Sequence, residues 1–468
     1  MLNFKEIEMK NKILLSLFSI VLLFSVTSCE DYVTIQPTGV LIPKTVADFE
    51  PLLEDEIYMT LYDKSQQVSF VHENYSRKDL LVEGNYRTIN YYWDETGDRS
   101  ETFLEDTGYG YYYRRIFYCN TILEADIITE TLAEEEQKKA LLAKARILRA
   151  YNYFDLINKY AKAYHPETAG TDGGILVKLT ADMEVKPRQF TVKETYDQIL
   201  EDCLLAVDDL KEETLNYIHP NKAFGYGFLA RVYLHMHKYD LALEAAEKSL
   251  ALNDYIYDWV NFYETNKNIP RYKWPEVEFE SQENLFWAEG LSEFGLRYTW
   301  LYETHMEKYE AADTRALVNF EPFPYFGEPM YYFSRSDNTN VGGMKSTEVR
   351  MIRAELNARK GNLAKAMEDV NALRAKRILT ADFVPLTAAT TQEAMDIILS
   401  EKEKEFFATG IRYADLKRLN TEPEYARILT DHVHDKSLSL APDSHLWVFP
   451  FAFSALEKND ALQQNTPR

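Results

Sequence analysis

The sequence predicts a mainly α-helical protein, in which a scaffold of paired, tetratricopeptide-like helices carries a large irregular loop-rich insert and a few short strands. Three observations predict this fold class. Apolar residues recur at helical spacing in most segments. Two helix–turn–helix segments, residues 228–252 and 351–373, align without gaps. The stretch between them, residues 253–345, is instead rich in tryptophan, tyrosine and proline, as long functional connections often are.

Composition limits the possible functions. The chain has 468 residues and a formal charge of −23 from 52 basic and 75 acidic residues. A nucleic-acid-binding surface is therefore not expected, because neutralising phosphates needs clustered lysine and arginine. Aromatic residues make up 14% of the chain, with 33 tyrosines. This abundance suggests aromatic surfaces that bind a ligand, although many tyrosines should simply pack between helices.

The first 28 residues predict a secretory signal peptide. Three lysines precede an apolar run over residues 13–26, and small residues follow it. A run of about 14 residues is too short to span a bilayer. Cys29 comes next and resembles the cysteine of a bacterial lipobox, so we expect it to carry the lipid anchor of the mature chain. Cys119 and Cys203 lie in helical patterns and are expected to be buried thiols, with a disulfide as the alternative.

Helical periodicity divides the N-terminal half of the chain into segments. The longest predicted helix contains the sequence AKARILRAYNYFDLINKYAKAY from Ala143. Its apolar residues share one face, and we expect its polar side to face solvent; that side comprises Arg146, Arg149, Asn152, Asp155 and Lys159. Helices are predicted for residues 46–61, 111–128, 134–163 and 191–210, with an aromatic loop over residues 79–110.

The capping-box pair Thr191 and Glu194 marks the start of the helix at 191–210. In the two aligned segments, small residues recur at matching positions and should let the paired helices approach closely; they are Ala230, Ala242, Ala354 and Ala366. Residues 284–288 predict a short strand, and residues 391–419 are helical.

Several motifs in this order resemble the SusD/RagB family of surface lipoproteins. They are EDY with QPTG after Cys29, the segment RRIFYCNTILE, the long helix, the segment IILSEKEKEFFATGIRYADLKRL and the ending LWVFPFAFSALEKNDALQQNTPR. The resemblance implies one SusD-like domain over residues 29–468. Its helical scaffold would cover about 40–252 and 346–420, its insert about 253–345 and its C-terminal segment 421–468. It also implies a lipid-anchored protein of the outer membrane, on the extracellular face, as in Bacteroidetes.

Catalysis finds little support in the sequence. It contains no GxSxG, no HExxH and no phosphate loop. The acidic run Glu401, Glu403 and Glu405 is expected to be a solvated helix face beside lysines. His235 with His237, and His432 with His434, are two residues apart, and this spacing points the two rings of a helical pair to different faces. We therefore expect no enzyme activity, no metal and no cofactor.

Binding is better supported. A flat aromatic ring can cover the apolar face of a sugar, while amides, carboxylates and guanidinium groups bond its hydroxyls. The resemblance implies one stacking aromatic near Trp93 and a second in the insert, at Trp300. We assign Trp287 and Trp447 to the core. The candidate ligand-binding residues are Trp93, Asp94, Arg297, Tyr298, Trp300, Tyr325 and Phe326.

The function implied is capture of an oligosaccharide at the cell surface and its delivery to a partner TonB-dependent, SusC-like transporter. A SusD-like protein that binds peptides rather than glycans is one alternative. A tetratricopeptide-type scaffold that binds only protein is another, with the insert as packing.

Overall fold

A computed structural model describes residues 43–54, 61–62, 67, 70–72, 84–290, 300–324, 329–333, 340–433 and 436–467. The predicted signal peptide and Cys29 lie outside these residues. Thr45–Arg468 forms one unit, to which everything below refers. No helix among the described residues combines the length and apolar character that crossing a bilayer requires.

Helices dominate the unit. They are α1 (Val46–Phe49), α2 (Tyr86–Tyr91), α3 (Thr107–Glu124), α4 (Leu132–Tyr160), α5 (Val192–Ala206), α6 (Lys222–His235), α7 (Tyr239–Leu252), α8 (Trp259–Asn266), α9 (Glu303–Met306), α10 (Thr314–Asn319), α11 (Ser346–Arg359), α12 (Leu363–Arg374), α13 (Thr391–Glu405), α14 (Ile411–Leu419) and α15 (Phe453–Glu457). The strands are short. They are β1 (Leu61–Tyr62), β2 (Gly173–Val177), β3 (Arg188–Thr191), β4 (Asn284–Phe286), β5 (Glu289–Gly290), β6 (Trp300–Tyr302), β7 (Phe320–Pro322), β8 (Met330–Phe333), β9 (Met344–Lys345), β10 (Leu429–Val433) and β11 (Lys436–Leu440).

The helices form a continuous row in which each packs against the next. Helix α3 packs on α4, α4 on α5, α5 on α6 and α6 on α7. Helix α7 then packs directly on α11, although the whole insert separates them in sequence, and α11 contacts both α12 and α13. The insert therefore leaves the row after α7 and returns to it at α11, which confirms the predicted layout of a helical scaffold interrupted by an excursion.

The two aligned segments have the same turn. His237 and Gly361 occupy matching positions, with φ angles of 57° and 76°. In both turns the preceding residue donates to the carbonyl four residues back, and the left-handed residue donates to the carbonyl three residues back. The matching alanines, Ala230, Ala242, Ala354 and Ala366, are all fully buried. The repeat predicted from the alignment is therefore present as two helix pairs of like geometry.

Helix α4 is the central element of the row. Thr131 and Glu134 form a capping box at its start. At its other end, the Lys417 ammonium donates to the carbonyl oxygens of Asn158 and Ala161 at 2.7 and 2.5 Å, which satisfies two terminal acceptors of the helix.

The prediction that the polar side of α4 faces solvent holds only for Arg146, whose side chain is 31% exposed, and is wrong for the other four residues. Arg149, Asn152, Asp155 and Lys159 are all buried, because helices pack on both sides of α4. Burial of these groups is tolerated since they have partners. The Arg149 guanidinium donates to both carboxylate oxygens of Asp202, at 2.8 and 2.6 Å, and to Asn120.

Two other sequence predictions differ from the structure. Residues 46–61 were expected to be one helix, but α1 continues into a 3₁₀ turn over Glu50–Leu53, and Leu61 lies in a strand. The expected loop at 79–110 contains α2, which begins at the N-cap Asn85. The prediction that Cys119 and Cys203 are buried thiols is confirmed, since both are free and buried.

The insert builds its own small cores. Trp259, Phe262, Trp274 and Val318 form one, and Leu301, Phe320 and Phe333 join Phe407 of the scaffold in another. A three-stranded sheet in the order β6–β8–β7 lies beside the second core. Trp287 and Trp447 are buried, as predicted.

A fully buried arginine joins insert to scaffold. The Arg377 guanidinium donates to Glu283 at 2.7 Å, to Glu405 at 2.9 and 2.7 Å, and to the carbonyl oxygen of Tyr257 at 2.7 Å. Glu401 is likewise buried and bonded to Arg315 and Arg374. The prediction of a solvated acidic face at 401–405 is therefore wrong for Glu401 and Glu405.

Candidate functional site

The structure describes only part of the predicted ligand-binding set. Trp93 and Asp94 are described fully, and Trp300 is placed by its backbone in β6. The others, Arg297, Tyr298, Tyr325 and Phe326, lie outside the described residues.

Trp93 does not offer an exposed ring. Its side chain is 4% exposed, and its indole N–H donates to the carbonyl oxygen of Phe70 at 2.8 Å. One face stacks on His72, with ring centroids 4.6 Å apart. Phe70 in turn contacts Tyr413 and Trp447 edge-on. The prediction that Trp93 is a stacking platform is therefore wrong, because the turn after α2 directs the ring into the core.

Asp94 lies in the exposed turn that follows. Its carboxylate accepts bonds from the backbone N–H and the hydroxyl of Thr96, at 3.0 and 2.7 Å. The hydroxyl bond is the main reason that the pKa of Asp94 is lowered. Next to it, Glu95 pairs with His445 at 2.9 Å. Asp94 therefore presents an ionised carboxylate at the surface, while also holding the turn.

His72 connects this turn to the β10–β11 hairpin. One ring nitrogen lies 2.7 Å from the carbonyl oxygen of Tyr91, which can only accept, so that nitrogen carries a proton. The other lies 2.9 Å from the Asp431 carboxylate. Burial raises the pKa of Asp431, but the bond to His72 and the charge of Lys308 lower it overall. Lys308 follows α9, so the Trp93 turn, the hairpin and the end of the β6–α9 segment share one region.

The sheet of the insert carries a patch of aromatic and charged groups that the sequence did not assign to the site. Trp300 pairs in register with Tyr332, and Tyr332 pairs with Glu321 on the next strand. The Tyr332 hydroxyl donates to Glu321 at 3.0 Å, and Phe323 contacts the Tyr332 ring edge-on. Phe323 is 46% exposed.

Arg271 completes this patch. Its guanidinium lies 3.1 Å from Glu321 and 5.2 Å from the centre of the Trp274 ring. It also donates to the carbonyl oxygens of Leu317 and Val318. The neighbouring Tyr272 is 83% exposed. We call Arg271, Tyr272, Glu321, Phe323 and Tyr332 the insert patch.

The insert patch combines the two features a sugar needs. Phe323 and Tyr272 offer apolar ring surface, while Glu321 and Arg271 offer an acceptor and a donor that are already fixed by other bonds. In the sequence, the patch is marked only by the dipeptide Arg271-Tyr272, which directly follows a proline. Local periodicity could not detect it, because the patch assembles residues about fifty positions apart.

The described residues contain no arrangement that supports metal binding or catalysis by paired carboxylates. Its histidine, cysteine, aspartate and glutamate side chains form no group of three or more placed to hold a metal ion. The buried acids of α13 are bonded to arginines rather than facing a cleft. The pKa of Glu401 is about 2, because Arg315 and Lys404 outweigh the effect of burial.

The fold defines a class of protein: a scaffold of paired helices that is interrupted by an insert with an exposed aromatic and charged patch. Two family models match the chain in succession. Residues 31–234 match the family described as starch-binding and associating with the outer membrane, and residues 301–467 match the SusD family. The chain belongs to the SusD family.

Known relatives agree with this membership. The chain is 21% identical, over the full length of both, to SusD-like protein P38 of Formosa agariphila. A SusD superfamily protein from Bacteroides thetaiotaomicron superposes with a TM-score of 0.69 at 18% identity, over 91% of this chain and all of the other. Surface glycan-binding protein A from Bacteroides uniformis gives a TM-score of 0.65 at 15% identity, over 90% of this chain and 98% of the other.

Proposed function

We propose that the protein is a cell-surface lipoprotein that binds an oligosaccharide through its insert and delivers it to a TonB-dependent, SusC-like transporter, without chemistry on the ligand. The observation that carries this proposal is the insert patch. In it the exposed Phe323 contacts Tyr332, Arg271 pairs with Glu321, and the exposed Tyr272 follows Arg271 in the chain. The starch-binding description of the matched family and the glycan-binding name of the B. uniformis relative support the same ligand class.

The predicted residues of the insert extend this patch in the proposal. Trp300 is paired in register with Tyr332, and Tyr325 and Phe326 follow Phe323 closely in sequence. Arg297 and Tyr298 precede Trp300 by three and two positions. We propose that these five residues add rings and a guanidinium group to the same surface. Asp94 is proposed as a further carboxylate for the ligand.

Anchoring and delivery rest on the sequence and the family. We propose that Cys29 carries the lipid and that the mature chain begins there. In the sequence, sixteen residues, 30–45, lie between Cys29 and the start of α1.

A SusD-like binder of peptides is the second candidate, because Glu321 and Arg271 could also bond a peptide backbone. A scaffold that binds only protein is the third candidate. It treats the insert as packing, whereas Tyr272 and Phe323 of the insert are exposed.

An array of glycans and peptides, followed by affinity electrophoresis with the best ligand, tests the proposal. Tyr272→Ala with Phe323→Ala should weaken binding about 30-fold, since each stacked ring contributes about 1 kcal/mol and tenfold corresponds to about 1.4 kcal/mol. Tyr255→Ala is the matched control, because Tyr255 is a similarly exposed insert tyrosine outside the patch. Peptide binding without glycan binding would favour the second candidate. Equal glycan retention by the double variant and the control would contradict the role of the insert patch.

A further inference from the structure

A large cavity lies away from the insert. Its volume is about 660 Å³, within the range of small-molecule sites. Three segments surround it: the first turn of α3, the loop between β2 and β3, and the chain around α15. None of these segments contributes to the insert patch, so the cavity is a separate feature of the molecule.

One wall of the cavity is aromatic and apolar. The rings of Tyr109 and Tyr113 lie with their centroids 4.7 Å apart. The Tyr113 hydroxyl donates to the carbonyl oxygen of Leu176 at 2.7 Å, which fixes the ring and leaves its oxygen able to accept a bond. Met183 and Val185 add apolar surface at the rim and are strongly exposed. Exposed apolar side chains around a hollow are typical of a binding site.

Polar groups also line the cavity. The Asn459 amide nitrogen donates to the carbonyl oxygen of Ala455 at 2.8 Å, which orients the side chain. Lys178 and Lys458 also line the cavity, and among the described residues no carboxylate lies within ion-pair distance of either. A third lysine, Lys186, lies 3.6 Å from Asp460. Three carboxylates also line the cavity: Asp106 pairs with Lys159, Asp460 lies near Lys186, and Glu105 is exposed. Lys178 and Lys458 therefore outnumber Glu105 among the lining charges outside these pairs, which favours an anionic ligand.

The walls are held by buried polar bonds, so the cavity is preformed. Asp106 caps α3 through the Tyr109 N–H and pairs with Lys159 of α4 at 3.0 Å. The Gln464 side chain bonds both the N–H and the carbonyl of Phe451, at 2.9 and 2.7 Å. Asn465 donates to the carbonyl oxygen of Gly174 in β2 at 2.7 Å. These bonds fix the α3, β2 and C-terminal walls relative to one another, which lowers the cost of ordering a site on binding.

We propose that this cavity is a second binding site, for a short acidic oligosaccharide of two or three rings. The tyrosine wall takes the apolar face of a sugar ring, Asn459 bonds a hydroxyl, and Lys178 and Lys458 bind a carboxylate. The proposal rests on the proposed function, because it assigns the same ligand class to a different surface.

Gly110 provides a way to close the cavity without disturbing the fold. It lies in α3 and lines the cavity, and a Cβ atom at this position would meet nothing within 4 Å. Gly110→Trp should therefore fill the hollow without lowering the temperature of thermal unfolding. Gly170 is equally open and does not line the cavity, so Gly170→Trp is the matched control.

The test is calorimetric titration with the trimers of galacturonate, mannuronate and glucuronate, and with maltotriose as the neutral probe. At least one acidic trimer should bind the wild-type chain more tightly than maltotriose. Gly110→Trp should weaken that binding at least tenfold, and Gly170→Trp should not change it. Lys458→Ala should weaken it a few-fold and reduce its salt dependence.

The same titrations on the Tyr272→Ala, Phe323→Ala chain separate this proposal from the proposed function. Loss of trimer binding in Gly110→Trp, with binding kept in Gly170→Trp, supports the cavity whether or not the insert-patch variant also binds more weakly. Loss in the insert-patch variant alone overturns the cavity site and leaves the proposed function standing. If no acidic trimer binds the wild-type chain better than maltotriose, the cavity proposal is overturned even where longer glycans bind.

Discussion

The indole N–H of Trp93 donates to the carbonyl oxygen of Phe70 across 2.8 Å, and this bond holds the ring inside the protein. Trp93 adopts a φ angle of 48°, which is uncommon for a bulky residue, and the turn after α2 uses it to point the indole inward. A tryptophan in an aromatic, turn-rich stretch is thus a structural anchor here. The rings that we propose to face the ligand lie elsewhere, on the insert.

Trp93→Ala should therefore reduce stability rather than binding. Removing a buried ring of this size costs about 3–5 kcal/mol, and urea unfolding would measure it. Trp93→Phe keeps a ring but removes the N–H, so its cost should be smaller, about 1–3 kcal/mol. Folded Trp93→Ala protein should still bind the best glycan of the array. A variant with unchanged stability and lost glycan binding would restore the original assignment of Trp93 to the site.

Two glycines allow backbone strain to be measured without any change of packing. Gly361 has a φ angle of 76° and Gly110 is an ordinary helical residue, while a Cβ atom at either position meets nothing within 4 Å. Gly361→Ala should destabilise the protein by roughly 1–2 kcal/mol, the cost of the left-handed conformation. Gly110→Ala should stabilise it by about 0.5–1 kcal/mol. Thermal unfolding of both variants checks this, and shifts of the same sign would contradict it.

The bidentate pair of Arg149 and Asp202 should matter most when only one partner is removed. Asp202 is fully buried, so Asp202→Ala leaves an uncompensated charge beside α4 and should cost about 3–5 kcal/mol. Arg149→Met with Asp202→Leu should recover most of that loss, since an apolar pair needs no solvation. A double-mutant cycle in urea measures the coupling. Additive losses in the double variant would show that the two residues act independently.

Acid should weaken the fold through Glu401. Burial raises its pKa, but Arg315 and Lys404 lower it further, to about 2, from an ordinary value of 4.5. Because the folded-state pKa is depressed, the stabilisation is complete above pH 4.5 and is lost as the pH falls toward 2. Glu401→Gln should be less stable at neutral pH, and its stability should fall less steeply over this interval. The exposed Glu368→Gln is the control, and its curve should run parallel to that of the wild type. If the stability of Glu401→Gln also fell in parallel with that of the wild type, the role of Glu401 in acid unfolding would be contradicted.

Local sequence determined much of the scaffold. The capping box of Thr191 and Glu194 starts α5 as predicted, and the gap-free alignment of two segments predicted helix pairs that share one turn geometry. The short strand β4 and the buried Trp287 also follow from local pattern. These features depend on residues a few positions apart, whose bonds form within one element.

Tertiary structure alone decided which polar residues face inward. Periodicity gave α4 a polar side, but it could not show that α3 and α5 cover that side and supply partners such as Asp202. For the same reason Glu401 and Glu405 look like a solvated face in the sequence and are buried against arginines in the fold.

The sequence by itself determined the helical scaffold, the place of the insert and the family. Only the tertiary structure decided that Trp93 is buried and that Arg271 lies beside Glu321. The physical reason is that helix formation depends on neighbours along the chain, whereas the burial of a ring or a charge depends on elements that come from distant parts of it.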